Sequence, residues 1–165
     1  MRRNGEEAAM NENVNEEAAG SAVRFLENLL QMARLDVRVR NEQPGDEGVL
    51  LDLQGPDNGL VLGNSARVLY ALEHIVNQVV HHRGGSHLKL TLDCNGYRSE
   101  RVLELQLLAR KAAERVRTTG VSLPLQPMPA VERRVIHLTL AEETGIRTES
   151  SGMGLNRHVV IIPGR

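Results

Sequence analysis

The apolar positions along the chain predict an alternation of helices and short strands that begins near residue 21. A first helix is expected from Ser21, its N-cap, to about Arg34, with apolar residues at helical spacing: Ala22, Phe25, Leu26, Leu29 and Ala33. The period then changes to two in "DVRVR" and "GVLLDL". These segments predict two strands that pair as a hairpin across the turn "NEQPGDEG".

The stretch "GLVLGNSARVLYALEHIVNQVV" predicts an apolar segment, a connection of small residues and a long amphipathic helix from about Ser65. The apolar face of that helix is predicted to consist of Val68, Leu72, Ile75, Val76 and Val79, and the polar face of Arg67, Glu73, Asn77 and Gln78. "HLKLTLD" follows as a strand that turns Leu88, Leu90 and Leu92 to one face.

The remaining chain predicts two further helices and three strands. A helix from about Ser99 to Arg117 has a predicted core side of Val102, Leu105, Leu108, Ala109, Ala112 and Val116. A short strand "VSLPL" is followed by a helix from about Pro129 to Glu143, since proline suits a first helical turn. The strands "IRTES" and "HVVIIP" then flank a glycine-rich loop.

Charge is distributed unevenly along the chain. The opening segment, residues 1–20, carries two Arg against five Glu and is expected to be a disordered acidic tail. Residues 21–96 have a net charge of −2. Residues 97–165 carry eleven basic and seven acidic side chains, which gives a net charge of +4. The positive potential therefore lies in the C-terminal part.

Composition excludes several classes of protein. Aromatic residues make up 2% of the chain, which argues against a nucleic-acid platform of stacked aromatic rings. Cys94 is the single cysteine, so a disulfide framework and a multi-cysteine zinc site are excluded, and a reducing compartment is expected. The chain shows no signal-peptide core and no run long enough to span a bilayer, which predicts a cytoplasmic protein without a membrane partner.

The connection "GNSA" at residues 63–66 is the first candidate site. It lacks the Gly-Lys-Ser/Thr of a phosphate-binding P-loop. Backbone N–H groups at the start of the following helix could hold an anion, or the segment could be a tight capped turn. The candidate residues are Gly63, Asn64, Ser65, Ala66 and the neighbouring Arg67.

The order of elements around this connection resembles the KH fold of type II, in which a GxxG loop clamps the nucleic-acid backbone. In that family the loop commonly carries a basic residue and ends in glycine. Here the loop ends at Ala66 and the nearest basic residue is Arg67. The resemblance implies that residues 63–67 contact a phosphate backbone.

"ERRVIHLTLAEE" contains the second candidate site, because Arg133 and His137 are four residues apart and share one helical face. Taken alone, the two are ordinary surface or packed side chains. Together with the following "RTESSGMGLNRHVVII", the segment resembles the R3H domain, whose trailing pattern matches Ser150, Gly152 and Arg157. The resemblance implies that Arg133, His137 and Arg157 contact nucleic acid.

Joined in this order, residues 21–163 resemble the Jag family of bacterial cytoplasmic KH-R3H proteins. The resemblance implies an α+β fold, in which a type II KH-like domain at residues 21–95 packs against an R3H domain at residues 96–165, each a small sheet covered by helices. The additional N-terminal Jag domain that such proteins often carry is expected to be lacking. The implied partner is single-stranded RNA or DNA, with no cofactor and no metal.

Two other classes of function stay open. A protein-interaction scaffold, forming a homodimer or a complex with a small KH-domain protein, is favoured by the neutral "GNSA" segment and the acidic balance of residues 21–96. An enzyme has the least support, because no acid, base or nucleophile shows a diagnostic spacing. A metal site is not indicated by the histidines, because no ligand spacing is shared by His74, His81, His82 and His87. The basic residues of the helix at 99–117 are expected to form solvent-exposed ion pairs, such as Arg101 with Glu104.

Overall fold

The computed structural model describes residues 3–45, 48–84 and 88–164 and has the α+β architecture expected. Its elements in chain order are α1 (Arg3–Met32), β1 (Arg38–Gly45), β2 (Gly48–Gln54), α2 (Asn58–Gly84), β3 (Leu90–Cys94), α3 (Tyr97–Thr119), β4 (Leu123–Pro124), α4 (Ala130–Thr139), β5 (Ile146–Ser151), a 3-10 helix (Gly154–Asn156) and β6 (His158–Pro163). The chain divides into two compact units, Met1–Tyr97 and Arg98–Arg165.

The first unit is a three-stranded sheet covered by two helices. Strand β2 is central, with β1 antiparallel on one side and β3 parallel on the other. The predicted hairpin is confirmed, although β1 extends to Gly45 and includes most of the segment expected as a turn. The predicted face of β3 is also confirmed, because its alternating leucines are buried in a core with α1 and α2: Leu26, Leu30, Leu51, Leu53, Leu69, Leu88, Leu90 and Leu92.

Helix α1 begins much earlier than the apolar pattern indicates. It starts at Arg3 and so covers most of the segment expected to be a disordered tail, and Ser21 lies inside the helix and not at its N-terminus. Ala19 is buried in the core, and Ala18 packs against it. The many Ala and Glu residues of this segment have high helix propensity, which allows the packed helix to continue in the N-terminal direction.

The buried face of α2 differs in part from the predicted one. Leu72 and Val76 are buried as expected, whereas Val68 and Ile75 are 39% and 42% exposed. Leu69 and Val80 occupy the core in their place. Apolar residues occur around more than half of this helix, so the 3.6-residue period alone permits more than one orientation, and packing against the sheet selects one.

The second unit is an antiparallel sheet in the order β4-β6-β5, with α3 and α4 contributing to its core. The buried residues of α3 are Leu105, Ala109, Ala112, Ala113 and Val116, whereas Leu108, a predicted core residue, is 43% exposed. Helix α4 begins after Pro129 and ends at Thr139, four residues before the predicted end. Leu140 closes the core, and the chain turns immediately after it.

Candidate functional site

Helix α4 presents Arg133 and His137 on one face and an apolar residue on another. Ile136 is completely buried, whereas Arg133 and His137 are half-buried. Their four-residue spacing brings both side chains over β5, where Thr148 and Ser150 lie on the same face because strand residues alternate. The helix and the strand together form a polar cluster of four side chains.

Ser150 joins the two predicted site residues. The Arg133 guanidinium donates through Nη1 to Ser150 Oγ at 3.0 Å, and His137 Nε2 lies 2.9 Å from the same oxygen. The other ring nitrogen, His137 Nδ1, lies 2.7 Å from Thr148 Oγ1. Both ring nitrogens of His137 are therefore held by hydroxyl groups of β5.

The hydroxyl groups of β5 suit either ring nitrogen of His137. Arg133 can only donate, so Ser150 Oγ accepts a hydrogen bond from it. Because a hydroxyl group can donate or accept, Ser150 and Thr148 can bond an imidazole in which one ring nitrogen carries the hydrogen and the other does not. This arrangement uses the neutral imidazole, in agreement with the pKa of His137, which is lowered from 6.5 by burial and secondarily by the positive charge of Arg133.

Arg133 keeps donor capacity beyond this chain of bonds. Its Nε is buried and makes no hydrogen bond within the described residues, while Nη1 bonds Ser150. Neither Arg133 nor His137 is hidden from solvent, since both side chains are only partly buried. The cluster can therefore donate hydrogen bonds to an anion that approaches from solvent.

The hairpin loop between β5 and β6 contains the other two residues of the predicted pattern. Gly152 has a φ of 83°, and a Cβ at this position would lie 2.6 Å from the carbonyl oxygen of Asn156. Glycine is therefore required for the loop to close. Arg157 lies at the end of the loop with an exposed side chain, and within the described residues no hydrogen bond joins it to Arg133 or His137.

Two contacts of this site were missed by sequence reasoning. Thr148 could have been found, because it lies two residues before Ser150 in a predicted strand and so shares its face. Glu132 carries no such signal in the sequence, where a charged helix residue is typical of the surface, yet it is 1% exposed and bonded to Arg101 of α3. The predicted pair of Arg101 with Glu104 is confirmed at 3.0 Å.

The "GNSA" segment lies in the first unit, inside α2. Helical structure is continuous from Asn58 to Gly84, so the expected open loop followed by a new helix N-terminus is not seen. Instead Ser65 and Ala66 have φ values of 60° and 53°. Two consecutive left-handed residues cannot continue a right-handed helix in a straight line, so the helix changes direction at this point.

The candidate residues of this turn differ in exposure. Ala66 is completely buried, backbone included, and belongs to the core of the first unit. Gly63 and Ser65 are half-buried, and Arg67 is exposed. Asn64 belongs to the same helix, but its side chain lies outside the described residues.

Comparison with known proteins identifies the second unit. A family model for the R3H domain matches residues 103–163, a range that includes Arg133, His137, Ser150, Gly152 and Arg157. The chain is 32% identical over 141 residues to RNA-binding protein KhpB of Clostridium symbiosum, covering 85% of this chain and 64% of that protein. It is 36% identical over 121 residues to RNA-binding protein KhpB of Bacillus subtilis, covering 72% and 58%.

A third similar protein is RNA-binding protein KhpB of Lactiplantibacillus plantarum, which is 34% identical over 117 residues and covers 71% of this chain and 36% of its own length. The chain thus spans less than two thirds of each of these three relatives.

None of the helices in the described residues has the length and hydropathy that a membrane span requires. Nor do three His, Cys, Asp or Glu side chains gather as metal ligands within those residues.

Proposed function

The chain belongs to the Jag family of R3H-domain proteins, and on that premise we propose that it binds single-stranded RNA through Arg133 and His137. The observation that carries the proposal is the shared contact of both side chains with Ser150 Oγ. This contact holds a guanidinium and an imidazole side by side on a partly exposed face. The relatives are named RNA-binding proteins, which supports RNA as the ligand.

A phosphate group of the RNA backbone fits the donors of this cluster. Arg133 offers a planar set of N–H donors, which is the geometry that phosphate oxygens accept best. His137 is neutral in the free protein near neutral pH, because its pKa is lowered, and protonation on binding would add a second positive charge. Arg157, exposed in the neighbouring loop, would add a third contact to the backbone.

The turn in α2 would provide a second contact in the first unit. Arg67 is exposed directly after the left-handed pair Ser65 and Ala66, with Gly63 and Asn64 preceding them. Strained non-glycine residues of this kind persist where the surrounding fold maintains them, and they cluster at ligand sites.

Under this proposal the function is binding without catalysis, and the protein works in the cytoplasm.

Substitution of the cluster tests the proposal. Arg133→Ala and His137→Ala are expected to weaken binding to an unstructured 12-nucleotide RNA, measured by fluorescence anisotropy across a range of salt concentrations. Arg133→Ala should also reduce the slope of log affinity against log salt by about 0.7, the value for one phosphate contact on a single strand. A parallel titration with DNA of the same sequence distinguishes the two nucleic acids.

Arg134→Ala is the matched control, because Arg134 is the next residue of α4, carries the same charge and is exposed. It should leave the affinity for RNA nearly unchanged. If Arg133→Ala and Arg134→Ala weaken binding equally, the effect comes from net charge and the proposed site is wrong. If both cluster variants bind as the wild type does, RNA is not bound at this site.

A protein partner remains the alternative prediction from the sequence, either a second copy of this chain or a small KH-domain protein. The described surface of the first unit exposes apolar side chains such as Ile75, which also lines an open groove of about 440 Å³ with Phe25 and Val79. Light scattering at high protein concentration tests self-association. A monomer under these conditions would exclude the homodimer.

A further inference from the structure

The loop between β5 and β6 presents two large apolar side chains to solvent. Met153 is 87% exposed and Leu155 is 73% exposed. Burial of such a side chain normally stabilises a protein by about 1.5–3 kcal/mol, which is not realised here. Isolated exposed apolar residues are common in proteins, so their meaning depends on how they are held and what lies beside them.

The loop is held by its own backbone. Asn156 N–H donates to the carbonyl of Met153 at 3.1 Å, and Arg157 N–H donates to that of Gly154 at 3.3 Å. His158 Nδ1 lies 2.9 Å from the carbonyl oxygen of Asn156. A short 3-10 helix therefore fixes the backbone that carries the exposed side chains, and less backbone conformational entropy is lost when a ligand contacts the loop.

The loop continues directly from the strand that carries the polar cluster. Ser150, which contacts both Arg133 and His137, pairs with Val159 of β6. The next pair, Ser151 with His158, is the last one before the loop. Met153 lies three residues beyond Ser150, so their Cα atoms are at most about 10 Å apart. The apolar side chains are therefore within one or two nucleotides' reach of a phosphate bound at the cluster.

We propose that Met153 and Leu155 form the contact surface for unpaired bases of the RNA strand whose phosphate is bound by Arg133 and His137; this rests on the function proposed above. The aromatic residues Phe25, Tyr70 and Tyr97 all lie in the first unit. The second unit's sequence therefore contains no Phe, Tyr or Trp ring, the large aromatic platforms on which unpaired bases usually stack.

Flexible apolar side chains can take over this role. The thioether of Met153 is polarisable and makes favourable contacts with the faces and edges of rings. A protein partner fits this loop less well, because two side chains on a hairpin tip supply far less than the roughly 1,000 Å² that a specific protein interface requires. The exposed Arg157 in the same loop also favours an anionic strand.

The experiment compares RNA with and without bases. Wild type and the double variant Met153→Ser/Leu155→Ser are titrated with uridine and adenosine 12-mers and with an abasic 12-mer of the same backbone. Wild type should prefer the strands with bases. The double variant should bind them at least about five-fold more weakly, near its affinity for the abasic strand, with an unchanged salt dependence.

Two comparisons make the result specific. Leu103→Ser/Val121→Ser removes two apolar side chains that are each 66% exposed elsewhere in the unit, and it should bind all three strands as wild type does. Arg133→Ala should instead weaken binding to all three strands, the abasic one included. Thermal unfolding of each variant establishes that the fold is kept.

Failure of this inference is distinguishable from failure of the proposed function. If the loop variant binds all strands as wild type does while Arg133→Ala binds weakly, the base contact is refuted and the phosphate site stands. If the loop variant loses affinity for the abasic strand equally, the loop does not act on bases. If it changes only the oligomeric state, measured by light scattering, the loop is a protein contact and the inference is overturned.

Discussion

Glu132 is buried beside Arg133, and its carboxylate accepts two hydrogen bonds from Arg101 of α3, Nε to Oε1 at 3.1 Å and Nη2 to Oε2 at 2.9 Å. The pair links the first turn of α4 to the long helix α3. Glu132 and Arg133 are adjacent in one helical turn, so this contact anchors the part of α4 from which Arg133 reaches Ser150.

Loss of one partner should strongly destabilise the second unit. Arg101→Leu leaves the buried carboxylate of Glu132 without this contact, at an expected cost of about 3 kcal/mol in the free energy of unfolding. The double variant Arg101→Leu/Glu132→Leu should recover most of the loss, because apolar residues can replace a buried pair. Urea unfolding followed by circular dichroism measures both.

Glu104→Ala provides the control, since Glu104 also pairs with Arg101 but its side chain is 67% exposed. This change should cost less than about 1 kcal/mol. Equal destabilisation by the single and double variants would show that the buried pair is not what makes Arg101 important.

The protonation of His137 should couple to both stability and RNA binding. The pKa of His137 is about 6.5 when unfolded and lower in the folded protein, so the unfolded state binds the proton first as pH falls. Its contribution to stability is therefore fully present above the unfolded value and decreases as pH falls from there towards the folded pKa. His137→Gln should remove this part of the pH dependence.

RNA affinity should respond in the opposite direction, because a bound phosphate favours the charged imidazole. Binding is expected to strengthen between about pH 7.5 and about pH 5.5, and His137→Gln should reduce that gain. The two proteins differ only at residue 137, so the difference between the two pH profiles isolates His137. Identical profiles would contradict a phosphate contact at this residue.

Asn77 protects the outer edge of the first sheet. Its amide accepts from Leu90 N at 2.9 Å and donates to Leu90 O at 2.7 Å, in the way a neighbouring strand would. Glu73 Oε2 accepts from Leu92 N at 2.8 Å, so two side chains of α2 cover β3. Asn77→Leu should destabilise the unit by about 2 kcal/mol and expose the edge to pairing with other chains.

Urea unfolding measures the stability change, and light scattering over several hours measures association. Gln78→Leu is the matched control, because Gln78 is the adjacent residue of α2 and is exposed. It should change neither quantity appreciably. Association of the control to the same extent would attribute the effect to added apolar surface rather than to an open strand edge.

The left-handed pair in α2 stores strain that glycine would relieve. Ser65 has a φ of 60°, a conformation that costs a non-glycine residue about 1–2 kcal/mol. Ser65→Gly should therefore raise the free energy of unfolding by about 1 kcal/mol, measured with urea. Gly63→Ala is the control without strain relief, since nothing lies within 4 Å of a Cβ at that position. A less stable Ser65→Gly variant would show that the serine side chain maintains the turn.

The order of helices and strands was determined by the sequence itself. Spacings of 3.6 and two residues are local properties, and they predicted the β1–β2 hairpin and the buried leucines of β3. The segment carrying Arg133 and His137 was likewise recognisable, because helical spacing places the two residues on one face whatever surrounds the helix.

Tertiary structure decided which of these local features meet. The pattern of α2 left more than one buried face open, and contact with the sheet buried Leu69 while leaving Ile75 exposed. The burial of Glu132 depends on Arg101, which is 31 residues away in the chain, and the hydroxyls that hold His137 come from another element. No local period encodes such contacts, because they arise only when separate elements are packed together.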